Sequence, residues 1–328
     1  MAISILKSGV LDTIQDDGRC GFSDLGVNIS GAMDRYALKV ANMLVANEVN
    51  MPVIEMHFPA PQILFEHNAL ISITGGDFSP TVNGEQVSNW KPLLVRKNSV
   101  LQFTHKNKGA RCYLAVHGGF AIDKWLNSYS TNLKAMAGGF HGRKLEKGDE
   151  LHFEEADFYF AGLFEKEATI QLPWSVDSAN VYQYPNEISM IPGNEWCLLT
   201  EDVQKKLLQD NFFIHPSSDR MGFHLRGPFI IPKKEYQLVS SAVTFGTIQL
   251  LPDNQLIILM ADHQTTGGYP RIGHVVAAHL PKLAQLGASD SFKFKIVNIE
   301  AAEKMFSAQQ RELQMLQSGC SEKMKQAL

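Results

Sequence analysis

Four stretches of the chain concentrate side chains that can do chemistry, and the first combines carboxylates, a guanidinium and a predicted helix start. It runs over residues 15–34, and its candidate catalytic residues are Asp16, Arg19 and Asp34, with Ser30 as a candidate substrate contact. Free N–H groups at a helix start can hold an anion. The alternative is that Asp16 and Arg19 only close a turn while Ser30 only caps the helix. Turns attract these residue types, so composition favours this alternative.

The second stretch is a polar turn over residues 215–222. Arg220 has a forked guanidinium that suits a carboxylate or a phosphate, and Asp219 could orient a base or a water molecule. We take both as candidate catalytic residues and Ser218 as a candidate substrate contact. The alternative is a surface turn whose local ion pair contributes little to stability. The sequence leaves the two interpretations even.

The third stretch follows an apolar segment, Leu256–Met260, that predicts a strand. Its candidate substrate-binding residues are Gln264, Thr265, Thr266, Gly267, Gly268 and Tyr269. Paired glycines let a backbone approach a ligand closely, and loops on rigid strands often carry binding sites. The alternative is an elaborate hairpin loop, but the density of donors favours a ligand site.

The fourth group consists of glycine pairs at predicted strand ends, near His117 and His141. Tight backbone turns explain these pairs better than catalysis does. Familiar nucleotide and catalytic signatures are absent from the sequence: it has no GxxxxGK[ST], no GxGxxG after a strand, no GxSxG and no HExxH. We therefore expect no metal site in this chain.

Composition and charge exclude several classes of protein. The chain has 328 residues, 30 basic and 34 acidic side chains, and a net charge of −4. This balance argues against a nucleic-acid binder and against a polybasic membrane-surface protein. No apolar run approaches the roughly 18–20 residues that span a bilayer, and the first residues lack a signal-peptide pattern. Four scattered cysteines without CxxC spacing suggest free thiols, so we expect a cytoplasmic location.

Short β-like runs punctuated by Gly, Asn, Asp and Pro dominate the pattern, which predicts a mainly β fold of sandwich or barrel type. Asn83-Gly84 predicts a tight hairpin, because both residues accept positive φ. The domain boundaries are less strongly marked. A break between residues 158 and 186 suggests an N-terminal half over 1–170, a C-terminal half over 171–300 and a helical tail over 301–328.

Few helices are predicted. The expected helices are Gly31–Val45 capped by Ser30, Glu201–Leu208 capped by Thr200, a short helix from Pro281 after a strand at Ile272–Ala277, and a terminal helix over Ile299–Gln317 followed by a frayed end.

Taken together, the motifs resemble the allophanate hydrolase subunit 2-like family, also called the biotin-dependent carboxyltransferase-like family. The matching segments include Gln15-Asp-x-Gly-Arg19, Ser30-Gly-Ala-Met-Asp34, Glu55, Thr74-Gly-Gly-Asp77, Gly138-Gly139-Phe140, Ser218-Asp-Arg-Met-Gly222 and Gln264-Thr-Thr-Gly-Gly-Tyr-Pro270. The resemblance extends to about Ile299. The chain departs from the family pattern at Ser241, where an acidic residue is usual, at His263, where Arg is usual, and at Asn254, where a turn glycine is usual.

The resemblance implies two cyclophilin-like β-barrel halves and a role within bacterial ATP-dependent 5-oxoprolinases, which open the lactam of 5-oxoproline to glutamate. It implies ATP, with Mg²⁺, as the cofactor of the complex. It also implies two partner chains of the 5-oxoprolinase, a kinase-inhibitor-like subunit and a further enzyme subunit. On this interpretation Arg19, Arg220 and the Gly267-Gly268 loop would contact phosphate oxygens. A carboxylate among Asp16, Asp34, Asp219 and Asp262 would position the nucleophile or the metal.

Two other functions remain open at this point. One is a carboxyltransferase component that acts on urea-like amides with carboxybiotin. Such systems need a biotinyl domain and a biotin carboxylase, which this sequence does not show and which other chains could supply. Biotin is not an expected cofactor of this chain. The other is a non-catalytic regulator that binds the kinase-inhibitor-like partner.

Overall fold

The structure is a computed structural model that describes residues 1–154, 169–182, 187–233, 236, 238–288 and 290–327. Much of the predicted break between residues 158 and 186 lies outside these described residues. The helices are α1 (Arg35–Leu44), α2 (Ala179–Tyr182), α3 (Glu201–Gln209), α4 (Leu280–Ala284) and α5 (Ile299–Ala327). The strands are β1 (Ala2–Lys7), β2 (Thr13–Gln15), β3 (Val53–Met56), β4 (Gln62–Phe65), β5 (Ala69–Asp77), β6 (Pro80–Val82), β7 (Glu85–Gln86), β8 (Pro92–Val95), β9 (Ser99–Phe103), β10 (Lys108–Val116), β11 (Glu150–His152), β12 (Thr169–Gln171), β13 (Glu187–Pro192), β14 (Phe212–Ile214), β15 (Gly222–Arg226), β16 (Ser241–Ala242), β17 (Thr247–Leu250), β18 (Leu256–Leu259), β19 (Thr266–Gly267), β20 (Arg271–Val275) and β21 (Ser291–Ile296).

The chain divides into two compact units whose boundaries do not follow the sequence order. Unit 1 comprises residues 1–18, 34–178 and 311–328, and unit 2 comprises residues 19–33 and 179–310. The first candidate stretch is therefore split, because its middle part belongs to unit 2 while its two ends belong to unit 1.

Unit 1 consists of two six-stranded sheets around one apolar core. One sheet has the order β11-β1-β4-β9-β6-β7 and the other has the order β12-β8-β5-β10-β3-β2. Alternate residues of both sheets, among them Ile5, Phe65, Ile73 and Leu114, are fully buried in that core. The predicted hairpin is confirmed: β6 pairs with β7 across Asn83-Gly84, and both turn residues have positive φ.

Helix α1 packs on β5 and β10 of unit 1 through its buried face. Two hydroxyls of β5 attach it further, because Ser72 donates to the carbonyl of Ala41 at 2.6 Å and Thr74 donates to that of Ala37 at 2.8 Å. The predicted cap is wrong. Asp34, not Ser30, caps the helix, and its carboxylate accepts from the N–H of Ala37 at 2.9 Å. A carboxylate suits the positive end of the helix dipole.

Unit 2 contains a closed seven-stranded barrel with the strand order β13-β20-β17-β18-β15-β14-β21. Strands β13 and β21 pair in parallel, and the other recorded pairs of the barrel are antiparallel. Its core includes Phe212, Phe292 and Phe294, and the ring of Phe294 meets the other two edge to face. A separate two-stranded ribbon joins β16 to β19. The predicted mainly β fold is thus confirmed.

The other predicted helices are present in the structure. Thr200 caps α3 through the N–H of Val203, and a strand followed by a helix containing Pro281 appears as β20 and α4. The terminal helix is longer than predicted, since α5 continues to Ala327. Among the described residues, no helix has both the length and the apolar character that a bilayer crossing requires.

Candidate active site

The candidate residues are divided between the two units. Asp16 and Asp34 belong to unit 1, whereas Arg19, Ser30, Ser218, Asp219, Arg220 and residues 264–269 belong to unit 2.

In unit 1, the Asp16 carboxylate organises a neighbouring loop. One of its oxygens accepts from the hydroxyls of Ser128 and Ser130 and from the N–H of Gly18, and the other accepts from the N–H of Tyr129 at 2.7 Å. The side chain is buried. Four donors on one buried carboxylate make a rigid loop anchor.

Asp34 takes part in a second buried polar group of unit 1. The Tyr113 hydroxyl accepts from the backbone N–H of Asp34 at 2.9 Å and donates to the Glu55 carboxylate at 2.8 Å. Burial, reinforced by the Glu55 and Asp34 charges, raises the pKa of Tyr113 well above its usual value, so the phenol keeps its proton. All three residues are fully buried, and the Tyr113 hydroxyl links Glu55 to the start of α1.

In unit 2, the second and third stretches meet through an ion pair. The Arg220 Nε lies 2.8 Å from one oxygen of Asp262, and a terminal nitrogen lies 3.1 Å from the other. The same nitrogen donates to the carbonyl of Gly31 at 2.6 Å. Arg220 thus binds a carboxylate in the forked geometry that its side chain favours, and that carboxylate comes from the same chain.

The first stretch joins the same cluster. Ser30 donates to the Asp262 carboxylate at 2.5 Å, and the Asn28 amide donates to the Asp262 carbonyl at 2.9 Å. Ser30 has a φ of 56° and is buried, so its hydroxyl is fixed. We call Asn28, Ser30, Gly31, Arg220 and Asp262 the Asp262 cluster. It brings together residues from the first, second and third stretches within unit 2.

Arg19 is also buried in unit 2, with 1% of its surface exposed. Its backbone N–H donates to the carbonyl of Ile29 at 2.8 Å, which closes the segment that leads to Ser30.

Ser218 and Asp219 lie in the turn between β14 and β15. The Asp219 carboxylate accepts from the N–H groups of Met221 and Gly222, so it shapes the turn before β15, and Asp219 itself is exposed.

The loop over residues 264–269 presents its polar groups at the surface of unit 2. Gln264, Thr266 and Tyr269 are exposed, while Thr265 and the two glycines are half-buried. The middle of the loop is β19, which pairs with β16, and Val243 N–H donates to the Thr265 carbonyl. A Cβ on Gly267 would lie 2.7 Å from the Gln249 amide nitrogen, so a side chain at this position would require the end of the Gln249 side chain to shift.

A carboxylate–guanidinium pair lies at each end of the loop. The pair of Arg220 and Asp262 lies at its start, and the pair of Arg271 and Glu195 lies at its end. Glu195 accepts from the backbone N–H of Arg271 at 2.8 Å and from its guanidinium at 3.0 and 3.1 Å. These hydrogen bonds lower the pKa of Glu195 and raise that of Arg271. With Asp262 at its start and Arg271 at its end, the loop is fixed at both ends, which is what a preorganised binding loop requires.

The sequence analysis missed some of these positions. Glu55 was named only as a residue that matches the family pattern. An acidic residue inside the apolar strand Val53–Met56 is unusual, and this could have indicated a buried polar group. Glu195 and Arg271 carry no local signal, because their pairing depends on the approach of two distant segments.

The guanidinium of Arg220 already holds Asp262 and the Gly31 carbonyl, so a phosphate contact there would have to replace those bonds. Within the described part of the chain, no group of three or more His, Cys, Asp or Glu side chains is arranged to hold a metal ion. Because its guanidinium is used for Asp262 and Gly31, Arg220 does not fit a nucleotide phosphate. Among the candidate substrate-binding residues, those with exposed polar side chains are Gln264, Thr266 and Tyr269.

Comparison with known proteins adds the family. The profile of the carboxyltransferase domain, subdomain A and B, matches residues 25–296. The C subunit of the Haemophilus influenzae 5-oxoprolinase is 32% identical over 92% of this chain and 94% of that protein. The corresponding protein of Escherichia coli is 31% identical over 96% of this chain and 97% of that protein.

A similar fold occurs inside larger enzymes. The crystal structure of the Kluyveromyces lactis urea carboxylase superposes with a TM-score of 0.85 at 25% identity, and the match covers 97% of this chain and 29% of that one. The urea amidolyase of Saccharomyces cerevisiae is 28% identical over 94% of this chain and 17% of that protein. The chain therefore belongs to the family of the carboxyltransferase domain, subdomain A and B.

Proposed function

We propose that this chain is one component of an ATP-dependent 5-oxoprolinase and acts with partner chains to open the lactam of 5-oxo-L-proline to L-glutamate. The observation that carries the proposal is the similarity to two bacterial 5-oxoprolinase C subunits, at 32% and 31% identity. The two bacterial 5-oxoprolinase chains match this chain over 94% and 97% of their own sequences, whereas urea amidolyase matches over 17% of its own.

The substrate poses a clear chemical problem. A lactam is a weak electrophile, and transfer of a phosphoryl group to its amide oxygen would make the ring carbonyl reactive towards water. Donors aimed at the developing negative charge on oxygen lower such a barrier. We assign substrate binding to Gln264, Thr265 and Thr266, because they carry exposed or half-exposed donors on a loop fixed at both ends. ATP and Mg²⁺ belong to the assembly in this proposal.

In this proposal Arg220 and Asp262 act on the substrate through the loop. Asp262 is followed directly by His263, whose ring contacts the Gln264 carbonyl at 2.5 Å. The ion pair therefore fixes the backbone that leads to the binding groups. Asp16 and Asp34 hold loops and α1 in unit 1, and we assign them supporting roles in the assembly rather than contact with the lactam.

The partners in this proposal are a kinase-inhibitor-like chain and a further 5-oxoprolinase chain, as the family resemblance implies. Both bacterial relatives are named as one subunit of an enzyme, which supports the existence of partners. Carboxyl transfer to a urea-like amide is a second candidate, favoured by the TM-score of 0.85 with urea carboxylase. Regulation of the partner without catalysis is a third.

An assay of the reconstituted assembly tests the role of the loop. We expect Gln264→Ala to raise the KM for 5-oxoproline about tenfold, which corresponds to the loss of roughly one hydrogen bond to substrate. Gln209→Ala, an exposed glutamine at the end of α3, is the matched control and should leave KM unchanged. Equal kinetics for the two variants would remove Gln264 from the substrate site.

A further inference from the structure

A serine and a histidine lie in hydrogen-bond contact in unit 1, outside the candidate active site. Ser79 lies in the turn between β5 and β6, and His105 lies in the turn between β9 and β10. The Ser79 Oγ is 3.1 Å from the His105 Nε2. A serine hydroxyl next to an imidazole nitrogen is the pair that activates serine nucleophiles, provided that this nitrogen carries no proton.

The surrounding hydrogen bonds favour one tautomer of His105. The Thr104 hydroxyl donates to the Ser79 carbonyl at 3.2 Å, because a carbonyl can only accept. The Thr104 hydroxyl has only this one proton. In the 3.0 Å contact between Thr104 Oγ1 and His105 Nδ1, the donor is therefore the imidazole N–H. A neutral His105 therefore leaves Nε2 as a bare acceptor, and the Ser79 hydroxyl donates to it. This tautomer is the one that a general base for serine requires.

The lone pairs of Ser79 can also be assigned. The amide of Asn107 donates to the Ser79 Oγ at 2.7 Å and to the Asp77 carboxylate at 3.0 Å. A hydroxyl oxygen has two lone pairs, and only one is used by Asn107. Among the described residues, Asn107 is the donor to this oxygen, so the second lone pair is the one that would attack an electrophile.

The backbone at Ser79 is strained. Its φ is 50°, an unusual value for a residue that is not glycine, and Pro80 follows directly. Strain of this kind persists only where the surroundings impose it, and it occurs at nucleophilic serines on sharp turns. Ser79 itself is 3% exposed, but Thr104, His105 and Asn107 are exposed, so the pair lies directly beneath the surface.

We propose that Ser79 is a nucleophile activated by His105 and that it accepts activated acyl or phosphoryl-type groups as a covalent modification site. In the step, the Ser79 Oγ forms a bond to the electrophilic carbon or phosphorus, the bond to the leaving group breaks, and the hydroxyl proton passes to His105 Nε2. A neutral threonine supports the resulting imidazolium less than a carboxylate does. The site therefore reacts with strongly activated electrophiles and does not turn over ordinary amides.

A fluorophosphonate probe tests this site on the full chain. The Ser79 oxygen should bond to phosphorus with release of fluoride, which adds the probe's phosphonyl group, and peptide mapping should place the adduct at Ser79. His105→Gln should slow the labelling at least about 100-fold, since a general base contributes 10²–10⁴. Ser88→Ala, at an exposed serine of the same unit, should leave the rate unchanged.

Ser79→Gly separates loss of the nucleophile from loss of the fold. Glycine accepts the φ of 50° without strain, so this variant should fold and show no adduct. An unlabelled wild-type chain, an adduct at another residue, or equal labelling rates for wild type and His105→Gln would each overturn the proposal. Labelling at Ser79 that requires His105 would support it.

Discussion

Replacement of Arg220 by alanine should strongly destabilise unit 2. The change removes both hydrogen bonds from the guanidinium to Asp262 and the 2.6 Å bond to the Gly31 carbonyl. The Arg220 and Asp262 side chains are only 5% and 11% exposed, so little water can replace the lost donors.

The expected cost follows from that burial. Removing one partner of a buried ion pair leaves an uncompensated charge and typically costs about 3–5 kcal/mol. An exposed arginine on the surface should cost under about 0.5 kcal/mol. Arg226→Ala in β15 is the matched control, because Arg226 is exposed in the same barrel.

Native-state hydrogen exchange is the suitable assay, because a chain with two units need not unfold in a single step. Amides of β17 and β18 report the opening free energy of the barrel. We expect that free energy to fall by about 3–5 kcal/mol in Arg220→Ala, and to recover in part when Asp262→Asn removes the unpaired charge as well. A loss below about 1 kcal/mol, or one equal to that of Arg226→Ala, would refute the view that this pair supports the barrel.

Two further predictions concern pH. Burial raises the pKa of Asp12 to about 7, so its contribution to the free energy of unfolding is full below pH 3.8 and is lost as the pH rises through 7. Asp12→Asn should therefore be the more stable form at pH 8, by up to about 4 kcal/mol in the hydrogen exchange of β2 amides. Burial lowers the pKa of His279 to about 4, and its Nδ1 accepts from the N–H of Ser189. The contribution of the neutral ring to the free energy of unfolding is therefore present above pH 6.5 and is lost as the pH falls through 4. In His279→Gln, the loss of opening free energy that β13 amides show on acidification should be smaller by about 1–2 kcal/mol. This value is reduced because the ring is partly exposed. An unchanged pH profile in either variant would contradict these assignments.

The sequence predicted the features that depend on neighbouring residues. Asn83-Gly84 specifies a hairpin, because its two residues accept positive φ, and Thr200 specifies a helix start, because its hydroxyl reaches an N–H three residues ahead. The start of α1 was harder. Ser30 and Asp34 are both good caps, and the choice between them depended on Asp262, which lies 232 residues from Ser30 and takes its hydroxyl.

The arrangement of the candidate site depends on such distant contacts. The sequence singled out Arg220 as a forked binder of a carboxylate, but nothing local indicates that its partner is Asp262, 42 residues later. Nor does any pattern show that residues 19–33 belong to unit 2. Periodicity records which face of an element is buried, whereas the partner of a buried charge is determined only when the barrel closes.

The most direct test of the proposed function compares the assembly with and without this chain. The chain would be co-expressed with its two candidate partners, and glutamate release from 5-oxo-L-proline would be measured with and without ATP. We predict ATP-dependent release from the complete assembly and none when this chain is omitted. Undiminished release without this chain, or carboxyl transfer to urea in place of glutamate release, would contradict the proposed function.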